Sequence, residues 1–161
     1  MDRFNDATKR DPYRNFVFRV KFEETVVAAC RKVSALNASV NVTKFREGNS
    51  ATTVDEMLPG RTTYDPVTIE AGVTDNREFE LWARRLMDQE SAPERVGDPG
   101  FRREVTIEVL DIDRQTVVRQ YVLHRAWVSK YTAMSDLAGD GNDVIIETAE
   151  ITHEGFERIE A

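Results

Sequence analysis

Few residues in this chain are spaced for chemistry. Histidine occurs twice, at His124 and His153, and cysteine once, at Cys30. A zinc site needs three or four ligands converging in tetrahedral geometry. No cysteine lies near either histidine, and His153-Glu154-Gly155 lacks the second histidine of a helical zinc motif. Both histidines read as structural or surface groups, and Cys30 reads as a small buried hydrophobe. Asp111 and Asp113 invite a paired-carboxylate hydrolase reading. They sit in a short connection, however, where aspartate is a common turn residue. Asp140-Gly141-Asn142-Asp143 has calcium-loop composition without the twelve-residue spacing or the closing glutamate. No Gly-rich phosphate loop ending in Lys-Ser/Thr occurs. Trp82 and Trp127 read as core anchors, not as a ligand-stacking pair. No catalytic residue, metal ligand or cofactor is expected, and hence no enzyme.

The elements that would carry these residues are mostly strands. Residues 14 to 22 alternate sharply, with Phe16, Phe18, Val20 and Phe22 on one face, which predicts a half-buried strand with Phe16 and Phe18 as core anchors. Glu23-Glu24 turns the chain, and Val26 to Val33 returns, so residues 14 to 33 read as a hairpin. Ser39 to Arg46 is a third strand. The polar stretch Glu47-Gly48-Asn49-Ser50-Ala51-Thr52-Thr53 has no periodicity. It is too long for a tight turn, and long loops on compact domains tend to carry function. Pro59-Gly60 reads as the turn that closes it. Val67 to Ala71 is a short strand.

One helix is expected over 76 to 89. Asp75 is its N-cap with Glu78 completing a capping box, and Phe79, Trp82, Ala83 and Leu86 form one apolar stripe. Further strands are expected at Arg103 to Leu110, Thr116 to Leu123 and Ala126 to Tyr131. The last, Asp143 to His153, is long and mixed on both faces: Val144, Ile146, Thr148, Glu150 and Thr152 against Asp143, Ile145, Glu147, Ala149, Ile151 and His153. Such a strand suits a sheet that packs a core on one side and lines something wet or shared on the other. The fold class is therefore mostly β, an antiparallel β-barrel or sandwich of about eight strands with one packed α-helix.

Bulk properties restrict partners. The 161 residues favour one domain, with residues 1 to 11 as a flexible arm. A net charge of −7, from 29 acidic and 22 basic residues without a Lys/Arg block, argues against a nucleic-acid-binding surface. No apolar run is long enough to span a membrane. The polar first ten residues lack the apolar region of a secretory signal, so cytoplasmic synthesis and assembly are expected.

Taken together, ordered motifs point to a family. They are Asp11-Pro12-Tyr13-Arg14-Asn15-Phe16, Val33-Ser34-Ala35-Leu36, Phe45-Arg46-Glu47-Gly48, Leu58-Pro59-Gly60-Arg61, Gly72-Val73-Thr74, Trp82, Ala126-Trp127-Val128-Ser129-Lys130-Tyr131, and Asn142 through His153-Glu154-Gly155. In this order, over nearly the whole chain, the set resembles the inner tail-tube protein of contractile phage tails and of phage-tail-like contractile injection systems. The resemblance implies a β-barrel-like domain that forms hexameric rings stacked into a hollow tube. It also implies a contractile sheath around the tube, baseplate or initiator and terminator proteins at its ends, and cargo or genome in the lumen. The subunit itself would not bind membrane; the finished tube would be part of a phage tail or an extracellular or cell-associated particle. On this reading Glu47, Gly48, Asn49, Ser50, Thr52, Thr53, Asp55 and Glu56 form an inter-ring or inter-subunit contact loop. Glu147 or Glu150, whichever lies opposite the core, would place negative charge in the lumen. The alternative is a monomeric β-barrel that binds a small ligand. A hydrolase built on Asp111 and Asp113 is a third reading.

Overall fold

The computed structural model describes residues 17–27, 30–49, 51, 53–87, 101–139, 141 and 143–160. Their elements are β1 (Phe18–Phe22), β2 (Thr25–Val26), β3 (Cys30–Val33), β4 (Ala38–Phe45), β5 (Glu56–Tyr64), β6 (Val67–Gly72), α1 (Glu78–Met87), β7 (Arg103–Leu110), β8 (Val117–Thr132), β9 (Ile146–Thr152) and β10 (Phe156–Ile159). Eight strands belong to one antiparallel sheet in the order β2-β1-β7-β8-β9-β6-β3, with β10 pairing β8 off that path. Among the described residues, strands β4 and β5 pair only with each other. The expected arm, Phe16, Ser50, Thr52 and half of the Asp140–Asp143 motif lie outside the described residues.

Strand β8 makes the architecture. The expected strands Thr116–Leu123 and Ala126–Tyr131 are one continuous strand, bent at Arg125, whose φ is 50°. The polar pair His124-Arg125 separates two alternating runs in the sequence. In the fold it is a kink at which β8 changes partners. Its first half pairs with β7 and β10, its second half with β9. The sheet thereby folds over on itself, and Val20, Val105 and Leu123 from one half share a core with Ile69, Val128 and Ile151 from the other. Helix α1 packs its stripe into this core: Phe79, Trp82 and Ala83 are buried, and Phe22 meets the rings of Phe79 and Trp82 at centroid distances of 5.0 and 4.6 Å.

Four local expectations change. The strand Val26–Val33 divides: Val26 pairs with Lys21, but Cys30 to Val33 pair with β6 at the opposite edge of the sheet. Alternation fixes which residues share a face, not which strand they meet. The helix cap is Asn76, whose Oδ1 accepts the Glu78 N–H at 2.9 Å, rather than Asp75. Pro59-Gly60 is not a turn but lies inside β5, opposite Val42 and Asn41 at a bulge. A two-stranded ribbon leaves one edge of β5 unpaired, so the missing proline N–H is tolerated there. A Cβ on Gly60 would lie 2.9 Å from the Asn41 carbonyl oxygen, so this close approach requires glycine. Finally, the last long strand begins at Ile146 and is followed by β10, reached through Gly155 at φ +149° beneath the Tyr64 ring.

Candidate assembly surfaces

The half-sheet β3-β6-β9-β8 has one apolar and one polar face. From Glu147 onward, alternate residues of β9 (Glu147, Ala149 and Ile151) are buried on the core side. The opposite side carries Ile146, Thr148, Glu150 and Thr152, all half-buried. Register extends this polar side across the sheet: Thr68 and Lys130 flank Glu150, and Glu70 lies between Thr148 and Lys32. Arg31 reaches the Glu70 carboxylate at 3.6 Å. A bulge at Ser129 keeps the two faces separate on β8, placing Tyr131 opposite Ala149 on the core side.

Of the two glutamates singled out in the sequence, Glu147 thus lies on the core side and Glu150 on the polar side. Glu147 accepts the Tyr131 hydroxyl at 2.8 Å. Burial, then the hydrogen bond to Glu147, push the Tyr131 phenol far above its usual range, so it remains a donor at any physiological pH. Trp127 departs from its expected role as a core anchor. Its neighbours Ala126 and Val128 are the buried ones, and Trp127 points to the polar side across from Thr152, half-buried. Trp82 is 1% exposed in the core, and Phe18 packs against the core's edge.

The hairpin β4–β5 is a second surface. Every residue of β4 and all of β5 except Tyr64 are exposed. Register puts Val40, Val42 and Met57 on one side and Phe45 and Leu58 on the other. These five side chains are 40–65% exposed. Glu47, Gly48, Asp55 and Glu56 of the expected contact loop lie at its tip or at the adjoining start of β5, and Asn49 and Thr53 are exposed there too.

The chemical candidates are absorbed into structure. Asp113 accepts the Thr116 hydroxyl and the amides of Gln115 and Thr116, and Asp111 accepts the Ile112 amide. The hydrogen bonds from Thr116, then that of the Gln115 amide, hold the Asp113 carboxyl below its usual range. His153 uses both ring nitrogens internally, donating from Nε2 to the Asp65 carbonyl and accepting from the Gly155 amide at Nδ1. His124 lies between Glu104 and Glu157 of the neighbouring strands, at 3.4 and 3.2 Å. Burial raises the Cys30 thiol to about 11, leaving it protonated and unreactive at neutral pH. Among the described residues, no group of three His, Cys, Asp or Glu side chains could hold a metal.

One buried charge was missed in the sequence. Glu108 on β7 is 4% exposed and pairs with Arg19 and with Lys21 (3.1 Å) on β1. Alternation hid it: Glu108 shares parity with Glu104 and Thr106, opposite the core-facing Val105 and Ile107, and is covered on that side by Arg19 and Lys21 of β1. Burial pushes the Glu108 carboxyl up, but the hydrogen bonds and charges of Arg19 and Lys21 together outweigh it and hold it below the usual range. A carboxylate depressed in the fold stabilises above its unfolded pKa, and that contribution disappears as pH falls through the folded value. Glu108→Gln should cost about 1–3 kcal/mol at neutral pH by leaving two cations without their anion. The variant should also lose less stability than wild type on acidification below about pH 4. Urea denaturation at pH 7 and at pH 3 checks both; parallel acid profiles would refute the assignment.

A folded-over sheet with a polar outer side, and a hairpin left exposed among the described residues, are the surfaces of an assembly subunit. The sequence matches the family of the T4-like virus tail tube protein gp19 over residues 14–157, and the chain belongs to that family. Its role is that of a structural tail-tube subunit. A comparison with curated proteins finds no match. Solved structures share the fold. A chain of the anti-feeding prophage baseplate is 20% identical with a TM-score of 0.74, the alignment covering 94% of this chain and 97% of that one. A chain of the anti-feeding prophage tube-terminating cap is 13% identical with a TM-score of 0.77, and both chains are covered fully. A chain of the sheath–tube complex of an extracellular contractile injection system, PVC, is 14% identical with a TM-score of 0.76 and 93% coverage of each.

Proposed function

We propose that six copies of this chain form a ring, that rings stack into a hollow tube, and that the polar side of β3-β6-β9-β8 lines the lumen. The observation that carries this is the hairpin β4–β5, which exposes apolar side chains on both of its sides. A free two-stranded hairpin is marginally stable in water, so this one needs neighbours. Among the described residues the sheet ends at β2 and β3, and heterologous contacts that close by rotation produce rings. The wall would then carry Glu150, the negative charge expected in the lumen, and Glu70, together with Lys130 and Lys32.

The sheath–tube, baseplate and cap assemblies containing chains of this fold support a tube enclosed by a sheath and finished by other proteins at its ends. On that reading the finished particle is a phage tail or an extracellular injection machine, with cargo or genome in the lumen. Negative-stain microscopy of the purified chain should show rings and tubes. A stable monomer by light scattering would overturn the reading in favour of a small-ligand-binding barrel.

A further inference from the structure

The hairpin β4–β5 joins the body beside a small aromatic cluster. His153 lies between β9 and β10 and is 5% exposed. Its ring centroid is 5.7 Å from that of Tyr64 and 6.2 Å from that of Phe156, and the Tyr64 and Phe156 centroids are 5.8 Å apart. All three pairs meet tilted or edge to face, the arrangement aromatic rings favour. Tyr64 is the last residue of β5 and the one residue of the two hairpin strands that is not exposed. Phe156 belongs to β10 and packs against the core. The cluster therefore ties the root of the hairpin to the body.

Hydrogen bonds complete the joint. A backbone carbonyl only accepts and a backbone amide only donates. The Asp65 carbonyl at 3.1 Å thus requires the proton on Nε2, and the Gly155 amide at 3.2 Å requires the lone pair on Nδ1. One neutral imidazole meets both demands at once. Its Nδ1 edge holds the β9–β10 turn two residues on, as an Asx side chain would. Its Nε2 edge holds the residue that follows β5. A Cβ at Gly155 would stand 3.5 Å from the Tyr64 ring, so the ring rests directly on that turn. At the other root, Leu36 packs against the core before β4 begins, and the Asp65 amide donates to the Asn37 carbonyl at 3.2 Å. Attachments on both strands fix a direction, whereas one alone leaves a pivot. The lever is long. At about 3.4 Å per residue the eight residues of β4 reach roughly 25 Å, so a swing of about 20° at the root would move the tip about 9 Å.

We propose that His153 is a positioning residue: with Tyr64 and Phe156 it sets the angle at which the hairpin leaves the body, before any other subunit touches it. The consequence for assembly rests on the tube-subunit reading, because a ribbon already aimed loses less freedom when subunits join.

The test separates the two edges of the ring. His153→Asn keeps an acceptor for the Gly155 amide but is too short to reach the Asp65 carbonyl. His153→Gln carries its amide nitrogen farther out, where it donates to Asp65, and gives up the bond to Gly155. Spin labels at Val42→Cys on the hairpin and Ile112→Cys on the β7–β8 connection, both exposed, report the angle in a Cys30→Ala background. Pulsed electron paramagnetic resonance of unassembled subunits should give a narrow distance distribution with His153 and with His153→Gln, and a broad one with His153→Asn. Tyr64→Ala, which removes no residue of the buried core, should broaden it too in a subunit with wild-type circular dichroism. Equal widths for His153→Asn and His153→Gln, or a narrow distribution for Tyr64→Ala, would overturn the proposal. In unlabelled full chains, the lowest concentration that yields pelletable tubes should rise for His153→Asn and not for His153→Gln. A wild-type chain that forms no tubes would overturn the tube reading, while the distance measurement still decides the positioning role.

Discussion

Deletion of Gly48 to Thr53 should abolish stacking into tubes while the subunit stays folded. The excised residues belong to the connection between β4 and β5, and the buried core side chains belong to β1, β6–β9 and α1, with Val27 just after β2. Removing them leaves Arg46, Glu47, Val54 and Asp55 to close the ribbon, a length that hairpins commonly use. Nothing in the core is exposed by the change, so the denaturation midpoint of the unassembled subunit should move little. If the tip supplies the contact between rings, its loss removes that contact from every subunit of a ring at once. The expected result is complete loss of tubes in negative-stain images from a protein with wild-type circular dichroism. Tubes of normal length would refute the role of the tip, and an unfolded product would refute the separation of hairpin and core.

Trp82→Ala should produce the largest loss of subunit stability, about 3–5 kcal/mol. Trp82 is 1% exposed, stacks at a tilt on Phe22, and lies under the Arg103 guanidinium at 5.8 Å. Its indole N–H donates to the Phe101 carbonyl at 2.8 Å. Alanine leaves a large cavity between α1 and β1 and also leaves a buried carbonyl without a donor. In a domain of this size the melting temperature should fall by roughly 10 °C or more. Trp82→Phe keeps most of the volume and loses the hydrogen bond, so its cost should be about 1–2 kcal/mol. Calorimetry or urea denaturation of unassembled subunits measures both. Equal stabilities for the Ala variant and wild type would show that the helix does not anchor on this ring.

Much of the strand content was legible because alternation at period two survives wherever one face meets a core. β7 was delimited at Arg103–Leu110 and β6 to within one residue, since each carries buried Val, Ile or Ala at every second position. Helix α1 was legible from its stripe, although the cap moved by one residue because Asp75 and Asn76 both suit that role. The misreadings have a common origin. His124-Arg125 interrupts an alternating pattern and Pro59-Gly60 has the composition of a turn, yet long-range pairing holds both in strands, one as a kink and one as a bulge. Residues Phe156 to Ile159 were not recognised as a strand because only Phe156 among them packs on the core.

The mixed strand near the C-terminus shows where sequence ends. Parity alone divided Glu147 from Glu150 and required a sheet with one dry and one wet side. It could not assign the sides, because each carried both apolar and charged residues. Tertiary structure assigned them: Glu147 turns inward to the Tyr131 hydroxyl, and Glu150 outward between Thr68 and Lys130. The same division holds for the whole chain. Periodicity, composition and ordered motifs determined the strand-rich class, the helix, the absence of a recognisable catalytic constellation and the family. Which strands pair, that β8 kinks and changes partners at Arg125, and that Glu108 is buried against Arg19 and Lys21 were decided only by packing. These depend on which strand each one meets, and that follows from contacts between residues far apart in the chain.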